Sequence, residues 1–422
     1  MDHVDATVVV GGGIGGLVTA LSLHQDGHDV VVFEAVSELK ALGVGINLLP
    51  HAVRELDALG LLADLEAESV APTTLAYFTK RGEPIWDEPR GRAAGYRWPQ
   101  LSIHRGTVHR VLRDACLDRL GPDAVRLGHR LTGLVDDGDR AIASFDTDSG
   151  SIEISAPLVI AADGIHSIAR AQRYPDEGMP KWNGALLWRG LAEADPVLDG
   201  RTMVWAGHPD QKFVGYPVLD LDDGRQLFNF IAEFRTDSIQ LTEREDWNQP
   251  GRLDDFIDRF ESWTFEWLDV PALVRSSPGT FRFPMVDRDP VDRWTFGRTT
   301  LLGDAAHPMY PIGSNGASQA ILDARVLTGC LRAYPTDVDR ALARYEEIRR
   351  PATAQIVLAN RGLGPERPMQ LVEERAPDGF DALDDVITPE EILEVTDGYR
   401  RTAGFALEAL ATGTSIADRD DY

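Results

Sequence analysis

The sequence predicts an α/β chain, α+β overall, in which a parallel-sheet domain is interrupted by an antiparallel sheet and followed by C-terminal helices. Three observations predict it. A β-branched run, Ala6 to Val10 (ATVVV), enters a glycine turn and then a helical pattern, the order of a doubly wound unit. Two later apolar runs, Ala156 to Gly164 (APLVIAADG) and Thr299 to Leu302, also stop at an acidic residue beside a glycine. Between them, Ala185 to Phe234 alternates through LLWRGLAEA, TMVWAG, FVGYPVL and LFNFIAEF with no helical period.

The glycine turn is GGGIGG, with Gly11, Gly13 and Gly16 at G-x-G-x-x-G spacing around Ile14 and Gly15. A helical stripe (Leu17, Ala20, Leu21, His24) follows, closed by Gly27, and Val30 to Phe33 is a second strand ending at Glu34. Strand, turn, helix, strand and acidic residue together describe a Rossmann-like dinucleotide site. Gly11 permits the turn, Gly13 lets backbone approach a pyrophosphate, and Gly16 allows close helix packing. Glu34 is placed to accept from a ribose hydroxyl. The dinucleotide is open at this point, but no second G-x-G-x-x-G follows a later strand, which argues against separate flavin and nicotinamide domains.

LGVGIN (Leu42 to Asn47) places Gly43 and Gly45 around Val44, as a plain loop or as backbone lying against a flat ring. A helix is expected from about His51 to Leu65, then strands and turns over residues 70–100. SIHRG (Ser102 to Gly106) opens an amphipathic helix. Arg105 stands at its start, where the helix dipole disfavours a cation; it reads as a surface ion pair or as a phosphate ligand. A β-meander covers Arg126 to Ile154, and DGIHSIAR sets Asp163, Ser167 and Arg170 at D-G-x-x-S-x-x-R spacing. The aromatics of the alternating segment, Trp188 and Tyr216 among them, are core residues or a pocket wall. Arg252 to Trp263 reads as an amphipathic helix.

The stretch from Thr299 to Ala324 runs from a strand through Gly303-Asp304 and a Pro/Gly loop to a helix from Ala317. A helix start leaves amides unsatisfied and favours negative charge. Val338 to about Ala359 is a further helix, and the last 60 residues are expected to hold a terminal helix, a frayed end and no chemistry. The expected division is 1–75, 96–180 and 281–360 for the nucleotide domain, 76–95 and 181–280 for the sheet domain, and 361–422 for a helical tail.

Composition excludes several classes. Among 422 residues, 43% are hydrophobic and 26% charged, ordinary for a globular chain. Asp and Glu number 68 against 42 Lys and Arg, a formal charge of −26, which disfavours nucleic acid and anionic membrane as partners. Cys116 and Cys330 form no CxxC pair, so neither a disulfide framework nor a metal site is expected. No uncharged apolar run reaches membrane-span length, and the polar N-terminus leads directly into a strand; the expected compartment is the cytoplasm.

The glycine fingerprint, the DG motif and GDAAH (Gly303 to His307), in that order, resemble the class A flavoprotein monooxygenases, the single-component aromatic hydroxylases typified by p-hydroxybenzoate and salicylate hydroxylase. WDEPRG, WRG, PMVDRDP and MYPIGSNGASQAILD bring the chain nearest to the phenazine-hydroxylating branch, over roughly the first 360 residues. AADG stands where relatives often have GADG, and GSNGAS where others have a GQGxN run. The resemblance implies non-covalent FAD, reduction by NADH or NADPH, and transfer of OH from a flavin C4a-hydroperoxide to an electron-rich aromatic carbon. It implies that Gly11 to Gly16 lie at the pyrophosphate, Glu34 at the ribose, Arg105 and Gly303-Asp304 along the cofactor tail, and Asp163 behind them. Val44, Gly45, Gly316 and Ala317 would face the ring. Met309, Tyr310 and Pro311, with Tyr216, Trp188 and Phe283 from the sheet, are the candidate substrate wall. No catalytic triad is implied, and His307 reads as a structural residue of the turn. Partners would be a small aromatic substrate and O2, in a monomer or homodimer. Alternatives are hydroxylation of a larger antibiotic or polyketide, oxidative decarboxylation of an aromatic acid, or a flavin-binding sensor or scaffold without turnover.

Overall fold

The computed structural model describes residues 1–38, 43–236 and 249–422. Leu42 of LGVGIN and residues 237–248 of the expected sheet segment lie outside them. Along the chain, β1 (Thr7–Val10) leads through the glycine turn to α1 (Ile14–Gln25) and β2 (Val30–Phe33). Then come β3 (Gly45–Leu48), the hairpin β4 (Thr74–Phe78) and β5 (Pro84–Pro89), and α2 (Arg105–Leu120). A meander precedes β6 (Val159–Ala161) and α3 (Ile168–Arg173). The large sheet is built by β7 (Lys181–Ala194), β8 (Thr202–His208), β9 (Gln211–Asp220), β10 (Gln226–Arg235) and β11 (Thr280–Asp287). The chain then forms β12 (Thr299–Leu301), α4 (Gly316–Ala333), α5 (Val338–Arg361) and, in the tail, α6 (Pro389–Thr402).

The nucleotide-type core is a six-stranded sheet in which β12, β6, β1 and β2 run parallel side by side. Val8, Val9, Val32, Val159 and Ile160 are fully buried, as strands covered on both faces require. The register pairs Val10 with both Phe33 and Ala161, and Ala161 with Leu301. The glycine turn, Glu34, the DG motif and GDAAH therefore leave one edge of one sheet, although they are up to 300 residues apart in sequence.

A buried carboxylate holds that edge together. Asp323 of α4 is fully buried and accepts from the Gly303 amide (3.0 Å), His307 Nε2 (2.5 Å) and Arg349 Nε of α5 (2.7 Å). Burial opposes its ionisation, but His307 and Arg349 prevail and hold it below the usual carboxylate range. His307 is thus a structural donor. Arg170, also buried, joins the DG motif to the same turn: it donates to the Ala305 and Ala306 carbonyls, to Asp289 O (2.7 Å) and to Glu177.

The second sheet has eight strands, with β7 between β11 and β10, then β9, β8, β4 and β5. Alternation gives it two unlike faces. Trp188 stacks on Phe234 (4.8 Å) and Phe256 (5.2 Å) on the outer face. Leu187, its neighbour, faces inward with Phe283, Met285 and Tyr310. The segment expected as a helix over Arg252 to Trp263 is instead two 3-10 turns, Leu253–Asp255 and Ile257–Arg259. Phe256 leaves helical geometry (φ −143°) between them and seats its ring on Trp188. The helix expected from His51 to Leu65 is likewise two, Pro50–Ala58 and Leu62–Glu66, parted at Gly60 (φ +71°).

The C-terminal end is not frayed. Buried Glu55 needs donors, and the Ile416 amide (3.0 Å) and Ser415 hydroxyl supply two of them. Tyr422 packs against Gly329 so closely that a Cβ there would meet its ring at 2.4 Å. On the inner sheet face, buried Lys212 pairs with Glu366 of the tail (2.6 Å) and Glu233 (3.2 Å). Burial pushes the Glu233 carboxyl up to about 7, against the pull of Lys212 and with Glu366 reinforcing it.

Two expectations follow from these networks. Asp323→Ala strands three buried donors, so it is expected to cost about 3–5 kcal/mol in urea denaturation; a loss below about 1 kcal/mol would contradict the bracing role. Glu233 keeps its proton in the folded chain after the unfolded chain has released it, so stability falls as pH rises from the ordinary carboxylate range to about 7. Glu233→Gln is expected to raise the thermal midpoint at pH 8 and to change it little at pH 5. An equal shift at both would refute the buried-proton reading.

Candidate cofactor cleft and active site

The edge where the four loops meet opens into a cleft whose glycines have distinct reasons. A Cβ on Gly11 (φ +104°) would meet Ala162 O at 2.4 Å, and one on Gly16 would meet Gly11 O at 1.9 Å, so both are demanded by the chain's own backbone. Gly13 and Gly316 differ: a Cβ at either meets nothing within 4 Å, because both face open space. They stand at the starts of α1 and α4, and neither helix has a side-chain cap. The first amides of both helices, those of Ile14, Gly15 and Ala317 among them, are therefore positioned as anion or carbonyl donors.

Glu34 accepts from the Gly12 amide (2.6 Å) and the Val36 amide (2.9 Å), which braces the glycine turn at the end of β2. His109, four residues after Arg105 on α2, holds Gly12 O from the other side (2.6 Å). Sequence reasoning missed His109; the i, i+4 spacing from Arg105 was the available signal. Arg105 and Asp304 both keep surface open to the cleft while protein walls their remaining sides. Burial pushes Arg105 down, with Asp304 opposing and Arg189 assisting. Burial pushes the Asp304 carboxyl up, with His307 and Arg105 opposing. The Gly303 amide is committed to Asp323, so Gly303 (φ +61°) shapes the turn rather than offering a donor to the cleft. Asp163 accepts from the Ile168 amide (2.8 Å) and leaves Oδ1 buried without a partner.

Gly45 is a glycine for a reason other than a flat ring. Its amide donates to Asn229 Oδ1 (2.7 Å), and its carbonyl accepts from Tyr216 OH (2.8 Å) and an Arg189 nitrogen (2.8 Å). A Cβ would lie 2.8 Å from Asn229, Tyr216 and Val218 alike. The inner face of the sheet thus clamps β3, and buried Val44 turns its carbonyl to the Arg105 amide (3.0 Å). Arg189 and Asn229 were not singled out from sequence, although alternation from Trp188 places Arg189 on the inner face.

The structure separates the six wall candidates. Tyr310 and Phe283 meet in one buried cluster with Leu187 and Met285. Tyr216 reaches the same region through Gly45, and Pro311 is exposed at the loop crest. Met309 turns away to Leu49, Tyr399 and Phe405. Trp188 is not part of the site, because the two-residue period of β7 puts it on the opposite face. The tail, expected to carry no chemistry, reaches the loop instead. Tyr399 OH accepts from Asn315 Nδ2 (2.8 Å), beneath Gly313 (φ +67°) and Ser314 (φ +59°).

These residues fit an elongated dinucleotide cofactor: two uncapped helix starts, a cation and a carboxylate border the edge where the loops meet, with the buried Asp163 carboxylate behind them. A family model described as an FAD binding domain matches residues 4–360. The chain is 44% identical over 361 residues to the phenazine 1,6-dicarboxylic acid hydroxylase PhzS of Lysobacter antibioticus, covering 84% of this chain and 88% of the relative. It is 36% identical to the 3-amino-4-hydroxybenzoate 2-monooxygenase of Streptomyces cremeus, covering 85% and 86%. Klebsiella pneumoniae HpxO, solved with FAD and uric acid, superposes with a TM-score of 0.70 at 26% identity, covering 98% of this chain and 96% of that one. The chain belongs to the FAD-binding-domain family, and it is a flavin-dependent aromatic monooxygenase of that family.

Proposed function

We propose that the chain hydroxylates an aromatic or heteroaromatic carboxylic acid. The observation that carries the substrate end is Arg189. Among the described residues it has no carboxylate partner, it leaves Nε buried and unpaired, and its guanidinium lies 5.8 Å from the Phe283 ring. A guanidinium beside an aromatic wall suits a planar carboxylate substituent. The substrates of both relatives, phenazine 1,6-dicarboxylic acid and 3-amino-4-hydroxybenzoate, carry one, which supports the same reading. The balanced reaction is ArH + O2 + NAD(P)H + H+ → ArOH + H2O + NAD(P)+.

Bound FAD would supply the redox chemistry that couples NAD(P)H oxidation to O2 activation. The chain's residues do the rest. The α1 start and Arg105 would hold the cofactor's phosphate charge, and Asp304 would accept from hydroxyls of its tail. The α4 amides and β3 would hold its ring end. Leu187, Phe283, Met285 and Tyr310 form an apolar wall that excludes water, which limits loss of activated oxygen as hydrogen peroxide. Burial pushes the Tyr310 hydroxyl up to about 12, so it remains a hydrogen-bond donor at neutral pH. Domain limits at 1–75, 96–180 and 281–360 against 76–95 and 181–280 suit this division of labour, since the sheet contributes the wall and the other segments the cleft.

The deciding experiment is a panel of aromatic acids with NADH and NADPH oxidation followed aerobically and products weighed. A substrate-stimulated rate with a product 16 mass units heavier is expected; a heavier product that has also lost CO2 would assign oxidative decarboxylation. No stimulation by any carboxylated ring, with stimulation by neutral rings, would overturn the proposal. Asp304→Ala is expected to purify with at least about tenfold weaker FAD binding, equivalent to about 1.4 kcal/mol. A fully flavinated variant would remove Asp304 from the cofactor's hold.

A further inference from the structure

Helix α6 of the tail brings one phenol hydroxyl to both ends of the loop that leads into α4. Thr388 and Glu391 form a capping box at the helix start, and the helix buries Ile392, Thr396 and Tyr399 at i, i+4, i+7 spacing. Arg375 donates to Glu391 (2.9 Å) at one end and Arg400 to Glu88 (3.1 Å) at the other, so both ends of that stripe are tied down. The Tyr399 side chain is closely enclosed. A Cβ on Gly313 would lie 2.3 Å from its hydroxyl oxygen, and one on Gly364 2.9 Å from its Cε2.

Tyr399 OH has one proton to give. It goes to Asn360 Oδ1 (2.7 Å), with Ile312 O farther off at 3.2 Å, and the oxygen accepts from Asn315 Nδ2 (2.8 Å). Asn360 Nδ2 in turn donates to Tyr310 O (3.1 Å). Asn315 Nδ2 also reaches Gly313 O (3.1 Å), and Asn315 Oδ1 accepts from Gln319 Nε2 (3.2 Å). Gln319 Oε1 accepts from Arg349 (2.7 Å), the arginine that also holds Asp323. Tyr310, Asn315, Asn360 and Tyr399 are all buried, so no bulk water competes for these bonds. Burial pushes the Tyr399 hydroxyl up, with Asn315 opposing, and the donor keeps its proton at neutral pH.

The loop between these ends is strained, since Gly313 and Ser314 both take positive φ and the serine does so despite its side chain. It begins at Tyr310 of the apolar wall and ends at Asn315, directly before the Gly316 and Ala317 amides. We infer that Tyr399 is a positioning residue: its hydroxyl fixes the α4 start relative to the Tyr310 wall, and thereby the seat of the cofactor's ring end. The inference rests on the cofactor placement proposed above, in which the α4 amides take that end. Hydroxyl transfer needs the ring and the substrate wall in a fixed relation, and Tyr399 acts on that relation through the loop.

The test starts from the FAD-loaded full chain. Flavin fluorescence follows the FAD released on dilution, which gives its affinity. The same signal follows FAD displaced by ADP, which gives the affinity for a ligand with phosphates and no flavin ring. The wild-type chain is expected to bind FAD at least about tenfold more tightly than ADP. Tyr399→Phe removes only the hydroxyl, and Asn315→Ala cuts the same bond from the loop side. Each is expected to weaken FAD at least about tenfold and ADP less than about twofold, since only chains with the loop in place seat the ring. Ser415→Ala, which loosens the tail at Glu55 and leaves the loop bonds intact, is expected to alter neither. FAD affinity that both loop variants retain would overturn the inference. So would equal losses of FAD and ADP, or the loop variants' pattern in Ser415→Ala, either of which would make Tyr399 a brace of the whole fold. A wild-type chain that binds ADP as tightly as FAD would instead refute the ring-end placement itself, and the inference with it.

Discussion

The Asp323 carboxylate is the constraint on which the rest of the structure depends. Three donors reach it: an amide from the GDAAH turn, the His307 ring of that turn, and an arginine from the following long helix. Each donor would be costly to bury alone, and an ionised carboxylate would be costlier still. Together they fix the turn against the body of α4, two turns in from its start, so Asp304 and the α4 start stay in register. Arg170 repeats the device from the DG motif, spending its donors on the Ala305 and Ala306 carbonyls and on Glu177. The polar ends of three strands are thereby made rigid without using the groups that face the cleft.

The cleft is electrically asymmetric because those groups are left over. Two helix starts without caps and Arg105 present positive potential, Asp304 a single negative site, and both charged side chains are partly desolvated where they stand. Such a cleft suits a ligand with anionic phosphates at one end and hydroxyls beside them. The antiparallel sheet contributes the opposite character. Its inner face carries Leu187, Phe283 and Met285 and touches the cleft through Gly45, whose amide and carbonyl are both held by sheet side chains. Anything bound against β3 would feel the sheet through that clamp.

The tail makes the molecule one body around the site. Glu366 meets Lys212 on the sheet, Tyr399 meets Asn315 beside the loop, Arg400 meets Glu88 of β5, and Ser415 with Ile416 meets Glu55 behind α4. Gly313 and Ser314 both hold positive φ directly above Tyr399, a conformation that a serine adopts at some cost and that the tail sustains.

The sequence by itself determined the parallel core and the loops that meet at one edge of it. Gly11, Gly13, Gly16, Glu34, Asp163 and Asp304 are local signals, since a strand end, a turn and a helix start are specified by residues within a few positions of one another. The order of the motifs then indicated that these loops share one edge. What only the tertiary structure decided depends on contacts between distant segments. Trp188 and Arg189 are adjacent, yet one is outer core and the other faces the cleft, and only the paired strands say which. Arg252 to Trp263 has a helical pattern, but Phe256 does more by stacking on Trp188 than by continuing a short helix. Gly45 is explained by three residues about 170 to 185 positions away. The tail carries no motif because its work is to supply single donors and rings to groups buried elsewhere, and such needs are written in the partners' surroundings, not in the tail's own sequence.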